Sequence, residues 1–100
     1  MINHIVLLKC RTDITTEELQ NVFSALHQLV KVIPGLLSCT SGANNSPEQI
    51  SRGYTHAFHM QFSDSQARDA YLPHPQHELV KIMIGEILIE DDAPVLVVDY

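Results

Sequence analysis

Tyr71, His74 and His77 lie together in the run Tyr-Leu-Pro-His-Pro-Gln-His. Pro75 suits the opening turn of a helix, with His74 just before it. His77 then sits in that first turn, where the partial positive charge of the helix end disfavours an imidazolium. A neutral imidazole near pH 7 is what a general base must be. A bound β-keto compound could lose a proton to His77 and attack its own carbonyl, while Tyr71 donates a hydrogen bond to the developing oxyanion. Taken alone, these residues fit a packed helix junction more readily than a catalytic pair. His74 and His77 are spaced to converge on a metal ion. Only Glu78 and Asp69 are near in sequence as further ligands, so no metal site is expected.

Two more histidines fall on strand patterns. His4 shares a face with Val6 and Leu8, and His56 shares one with Phe58, Met60 and Phe62. Each is either a satisfied core histidine or a ligand contact. If these strands are antiparallel neighbours, His4 and His56 lie toward opposite ends of the pair. The candidate pocket is therefore walled by Val6, Leu8, Phe23, Leu26, Phe58 and Met60, with Tyr71 and His77 as its polar groups. Apolar walls with a few convergent polar groups are the usual form of a small-molecule site. His27 and His59 read as surface or dimer-face residues, and Glu90, Asp91 and Asp92 as a solvated turn. Cys10 and Cys39 sit in apolar strand-like runs and behave as small hydrophobes rather than nucleophiles. No glycine-rich phosphate loop or G-x-S-x-G elbow is present.

The elements that position these residues are legible as periodicities. Asn3–Arg11 reads as a strand covered on both faces. Thr15–Val32 reads as an amphipathic helix, with Thr15 and Glu18 forming a capping box. Leu19, Val22, Phe23, Leu26, Leu29, Val30 and Ile33 make its apolar stripe, and Pro34-Gly35 ends it. Leu36–Gly42 is a second strand, Ala43–Ser51 a polar loop, and Tyr54–Phe62 a third strand with strict alternation. Ser63 or Asp64 caps a short helix through Tyr71. A further helix starts at Pro75, and Val95–Tyr100 is the last strand. The order β-α-β-β-α-β is ferredoxin-like, an α+β class. Such a sheet carries helices on one face only. Ile5 and Leu7 fall on the other face, and pairing two sheets back to back would bury them in a homodimer.

Composition narrows the partners. The chain of 100 residues is expected to form one domain over 1–100, with 45% hydrophobic and 18% charged residues. A net charge of −6 with no basic run argues against nucleic acid and anionic membranes. No secretory signal and no span-length apolar run is read, so a reducing cytoplasmic setting is expected.

Several stretches carry a family resemblance when taken in order. They are HIVLLK at His4–Lys9, IPGL at Ile33–Leu36, SRGYTHAFHMQF at Ser51–Phe62, AYLPHPQH at Ala70–His77 and VVDY at Val97–Tyr100. In this order and spacing the chain resembles the stress-responsive dimeric A/B barrel (Dabb) proteins over nearly its whole length. The resemblance implies a ferredoxin-like monomer and a homodimeric α+β barrel. It does not imply a single activity. Among the family's enzymes is a cofactor-free plant polyketide cyclase, whose catalytic Tyr and His match Tyr71 and His77 here. His4 and His56 match histidines of its pocket, whereas Leu26 replaces a pocket tyrosine. The later helix lacks that enzyme's aromatic residues. Three functions are therefore expected as alternatives. The leading one is binding of a small hydrophobic or β-keto compound, with cofactor-free, lyase-like acid–base chemistry. The others are a stress-related structural dimer with a filled core, and a cofactor-free monooxygenase-like barrel.

Overall fold

A computed structural model describes residues 1–100. Strand β1 (Ile2–Leu8) turns His4, Val6 and Leu8 inward, and all three are buried. Helix α1 (Thr16–Gln28) follows. The Thr15 hydroxyl accepts from the Glu18 amide and donates to the Glu18 carboxylate, each at 3.1 Å. The cap is therefore formed by the residues expected, with the Glu18 side chain bonding to the hydroxyl.

The helix does not continue to Val32. It tightens into a 3₁₀ turn at Leu29–Lys31. Pro34 disfavours the α conformation at Ile33, and the β-branched Val30 and Val32 weaken the last turns. Gly35 then adopts φ +81°, a left-handed value that glycine takes without a steric cost. The space there is also closed, since a Cβ on Gly35 would stand 2.5 Å from the Ala67 Cβ.

Strand β2 (Leu36–Ala43) begins with a register irregularity between Leu36 and Ser38. Strand β3 is His56–Phe62, so the expected start at Tyr54 is corrected. Arg52 and Gly53 have φ of 57° and 89° and swing the chain around a turn. Tyr54 consequently leaves the sheet line. Its hydroxyl donates to the Ala93 carbonyl at 2.9 Å, and Lys9 Nζ lies 4.9 Å from its ring centre.

Two helices separate β3 from the last strand. Asp64 caps α2 (Ser65–Tyr71), its carboxylate accepting from the Ala67 amide at 2.8 Å. Pro75 opens α3 (Pro75–Ile87), with His74 as its cap. Nδ1 of His74 accepts from the Gln76 amide at 3.1 Å. Strand β4 (Val95–Asp99) closes the fold, and Tyr100 exchanges backbone bonds with Asn3 beyond it.

The sheet is antiparallel, in the order β2-β3-β1-β4. The architecture is thus ferredoxin-like α+β, with four strands and three α-helices. The helices lie over one face. Leu8, Leu26, Met60, Phe62 and Tyr71 form its fully buried centre. Strand parity puts Ile5, Leu7, Ala57, Leu96 and Val98 on the opposite face, which no element of the chain covers. No helix is long and apolar enough to cross a membrane.

Candidate functional site

His77 is placed by two elements. It lies in the first turn of α3, and its Nδ1 is 2.8 Å from the Leu72 carbonyl in the junction after α2. A carbonyl only accepts, so Nδ1 carries the proton. Nε2 is then the lone-pair nitrogen of the neutral ring. Burial pushes the proton affinity of His77 below the ordinary histidine value, and nearby Lys81 adds to this. The Leu72 bond and Glu78 oppose the shift without reversing it. Tyr71 stacks on the His77 ring, with centroids 4.1 Å apart and planes tilted by 29°. Tyr71 itself is 1% exposed, and burial holds its hydroxyl well above the usual tyrosine range.

His4 is 6% exposed and sits among aromatic rings, 6.1 Å from both Phe62 and Tyr71. Its Nδ1 is 2.7 Å from one oxygen of Asp99, the residue opposite it on β4. The second Asp99 oxygen accepts from Arg68 Nη1 at 2.8 Å, and Arg68 Nε donates to Asp69 at 2.8 Å. Burial raises the proton affinity of Asp99, but the bonds from His4 and Arg68 outweigh it. They hold the carboxyl below the usual aspartate range. The carboxylate acceptor assigns the proton to Nδ1 of His4, so Nε2 is again the nitrogen left over.

Both histidines line one cavity of about 350 Å³ between α3 and the β1–β4 side of the sheet. Its walls are Val6, Leu8 and Phe58 from the sheet centre, Val95 and Val97 from β4, and Leu72, Ile84 and Leu88 from the helical layer. Gly85 leaves one stretch of α3 without a side chain, and Lys81 stands at the rim.

The expected site residues divide between this cavity and other places. His4, Val6, Leu8, Phe58 and His77 are brought together in its lining. Tyr71 lies behind His77 rather than in the wall. Leu26 and Met60 are 0% exposed and belong to the packed core. Phe23 packs on the ring of His56 at 5.8 Å, toward the other end of the sheet. His56 pairs with Leu8 while His4 pairs with Met60, so the two histidines are well separated along β1, as anticipated. His56 lines a different hollow of about 310 Å³, beside Tyr54 and the loop after β2. The Thr55 hydroxyl accepts from the Cys10 amide and donates to the Leu8 carbonyl, so the 2.8 Å contact from His56 Nδ1 is a donation by the ring. The cavity lies over the β1–β4 side of the sheet, while Leu26 of α1 and Met60 of β3 are packed in the core beside it.

His74 and His77 do not converge, because His74 Nδ1 caps the helix and His77 Nδ1 faces Leu72. Cys39 is pushed up to about 11 by burial, and Cys10 is raised by the same cause, so neither is a thiolate at neutral pH.

A family model for the stress-responsive A/B barrel domain matches residues 2–100. The chain belongs to that family. This A/B barrel chain is 28% identical over 100 residues to a stress-response A/B barrel domain-containing protein of Arabidopsis thaliana, covering 99% of the chain and 87% of the relative. It is 24% identical over 99 residues to olivetolic acid cyclase of Cannabis sativa, covering 99% of the chain and 94% of the enzyme. A solved dimeric ferredoxin-like protein of unknown function from Jannaschia sp. superposes with a TM-score of 0.86. It shares 29% identity, over 99% of this chain and 96% of that one.

Sequence reasoning about this A/B barrel protein missed Asp99, Arg68 and the β4 and α3 walls. The available signal was strand parity. Once the VVDY strand is paired antiparallel to HIVLLK with Val97 opposite Val6, Asp99 falls opposite His4. Arg68 carried no comparable signal, because its reach depends on how α2 is seated.

Proposed function

We propose that this protein is a homodimer that binds a small hydrophobic or β-keto compound in the α3–β1–β4 cavity and acts on it by cofactor-free proton transfer. The observation that carries this reading is the pair of histidines in one apolar cavity, each with Nδ1 engaged and Nε2 free. His77 is the general base. Its neutral ring is held by Leu72 and backed by the buried face of Tyr71. The likeness to olivetolic acid cyclase supports the reaction class, the dimeric Jannaschia neighbour supports pairing, and the open apolar sheet face is the surface this chain offers for it. A reducing cytoplasmic setting suits the two free thiols.

The filled-core structural dimer is the second reading, favoured by the tight packing of Leu26, Met60, Phe62 and Tyr71. The cavity beside that core favours ligand binding over it. Titration of β-keto esters, aromatic acids and fatty-acyl thioester analogues against ring-labelled histidine, on wild type and His77→Ala, separates the two. Saturable shifts at His77 with one class, lost in the variant, support the pocket. A folded dimer in which no compound moves the His77 signals supports the filled-core reading.

A further inference from the structure

His4 is held by charge, whereas His77 is held by a neutral carbonyl, and this difference assigns them opposite roles. The contacts behind His4 are two carboxylates, Asp99 and Asp69, sharing one guanidinium, Arg68. That cluster has one uncompensated negative charge until His4 carries a second proton. Behind His77 there is only the Leu72 carbonyl and the face of Tyr71, with Lys81 and Glu78 offsetting each other at the rim. The two rings line the same cavity. The carboxylate behind His4 is thus matched to a donor ring, and the carbonyl behind His77 is matched to a neutral one. Arg11 Nε is the only fully occluded side-chain nitrogen or oxygen without a partner, and His4 Nε2 makes no bond within the chain, so Nε2 keeps accessible space in front of it. His4 is a cavity-lining residue, and the cavity is where that space lies.

We infer that His4 is the general acid opposite the base His77, and that Asp99 and Arg68 are positioning residues that hold it in that role. The inference rests on the reading of the cavity as a site for enolisable carbonyl compounds. In the step, His77 Nε2 takes a proton from the carbon between two carbonyl groups. The C–H electron pair moves into a new C=C bond, and the carbonyl π pair moves to oxygen, which takes the Nε2 proton of His4. The product is the enol of the same compound, with His77 protonated and His4 neutral, and one proton passed between them restores the start. Nothing is oxidised or reduced. The arrangement follows the rule that two titratable groups set in contrasting environments divide the acid and base work. Arg68 keeps Asp99 ionised and fixes both of its oxygens, so that His4 cannot rotate to present Nδ1.

The test is exchange of the central methylene protons of ethyl acetoacetate into deuterated water, followed by NMR, with nitrogen-15 ring signals of the same protein near neutral pH. Wild type is expected to accelerate exchange, with a doubly protonated His4 ring and a neutral, Nδ1-protonated His77 ring. His4→Gln and Asp99→Asn are expected to lower the rate by about ten-fold or more while leaving ester binding within about three-fold. Arg68→Lys is expected to recover part of the rate lost in Arg68→Met. Asp99→Asn keeps the side-chain shape and decides the matter where His4→Gln does not fold. Full exchange in Asp99→Asn and His4→Gln beside loss in His77→Ala would overturn this inference and leave the base assignment standing. A neutral His4 ring would also overturn it. Absence of exchange in wild type would overturn the underlying reading and this inference together.

Discussion

At the residue scale, the site depends on which nitrogen of each imidazole is free. Nδ1 of His77 donates to Leu72, and burial lowers the ring's proton affinity. The lowered value means that the folded state resists protonation, so the base form persists as pH falls past the ordinary histidine value of about 6.5. The acidic limb of a kcat/KM profile should therefore lie below that value. Leu72 supplies a backbone group, so the profile should survive Leu72→Val. Asp99 carries the opposite kind of charge. Its depressed proton affinity gives stability that is full above the unfolded aspartate value of about 3.9, and that is lost as the carboxylate protonates at lower pH. Asp99→Asn should cost about 1–3 kcal/mol near pH 7, since it weakens a mostly buried charged bond to His4. In denaturant titrations the gap from wild type should shrink toward pH 3.

At the element scale, the junctions decide where the side chains end up. Gly35 turns the chain from α1 into β2 at positive φ, against Ala67 of α2. Gly35→Ala should destabilise the fold by about 2–3 kcal/mol, through backbone strain and the close Cβ contact together. A larger loss than that of Gly42→Ala, where the added Cβ meets open space, would show it in thermal unfolding. Periodicity and punctuation made these elements readable. Thr15 with Glu18, Asp64 and the His74-Pro75 pair each mark a helix start that the structure contains. Boundaries that depend on tertiary contact were less readable, as at the end of α1 and at Tyr54, which is drawn away by Ala93 and Lys9. The cavity was only half legible. Parity found His4, Val6, Leu8 and Phe58. It could not show that Leu26 and Met60 close the centre, because that outcome is a matter of volume rather than pattern.

For the whole molecule, the sheet has a helical face that holds the cavity and an open face that holds apolar side chains. Leu96 and Val98 are 44% and 54% exposed in the single chain, beside Ile5 and Leu7. A continuous apolar surface of this kind marks an interaction site. Leu7→Glu should shift the chain from dimer to monomer in sedimentation or light-scattering measurements. Leu79→Glu, on the outer side of α3, should leave the mass unchanged.

Strand β4 serves the two faces in alternation. Val95, Val97 and Asp99 look toward the cavity and His4, while Leu96 and Val98 look outward. Substitutions in the first set therefore act on the cavity, and substitutions in the second act on the open face. A one-residue slip of β4 along β1 would exchange the two sets, so the pairing of Val97 with Val6 fixes both faces at once.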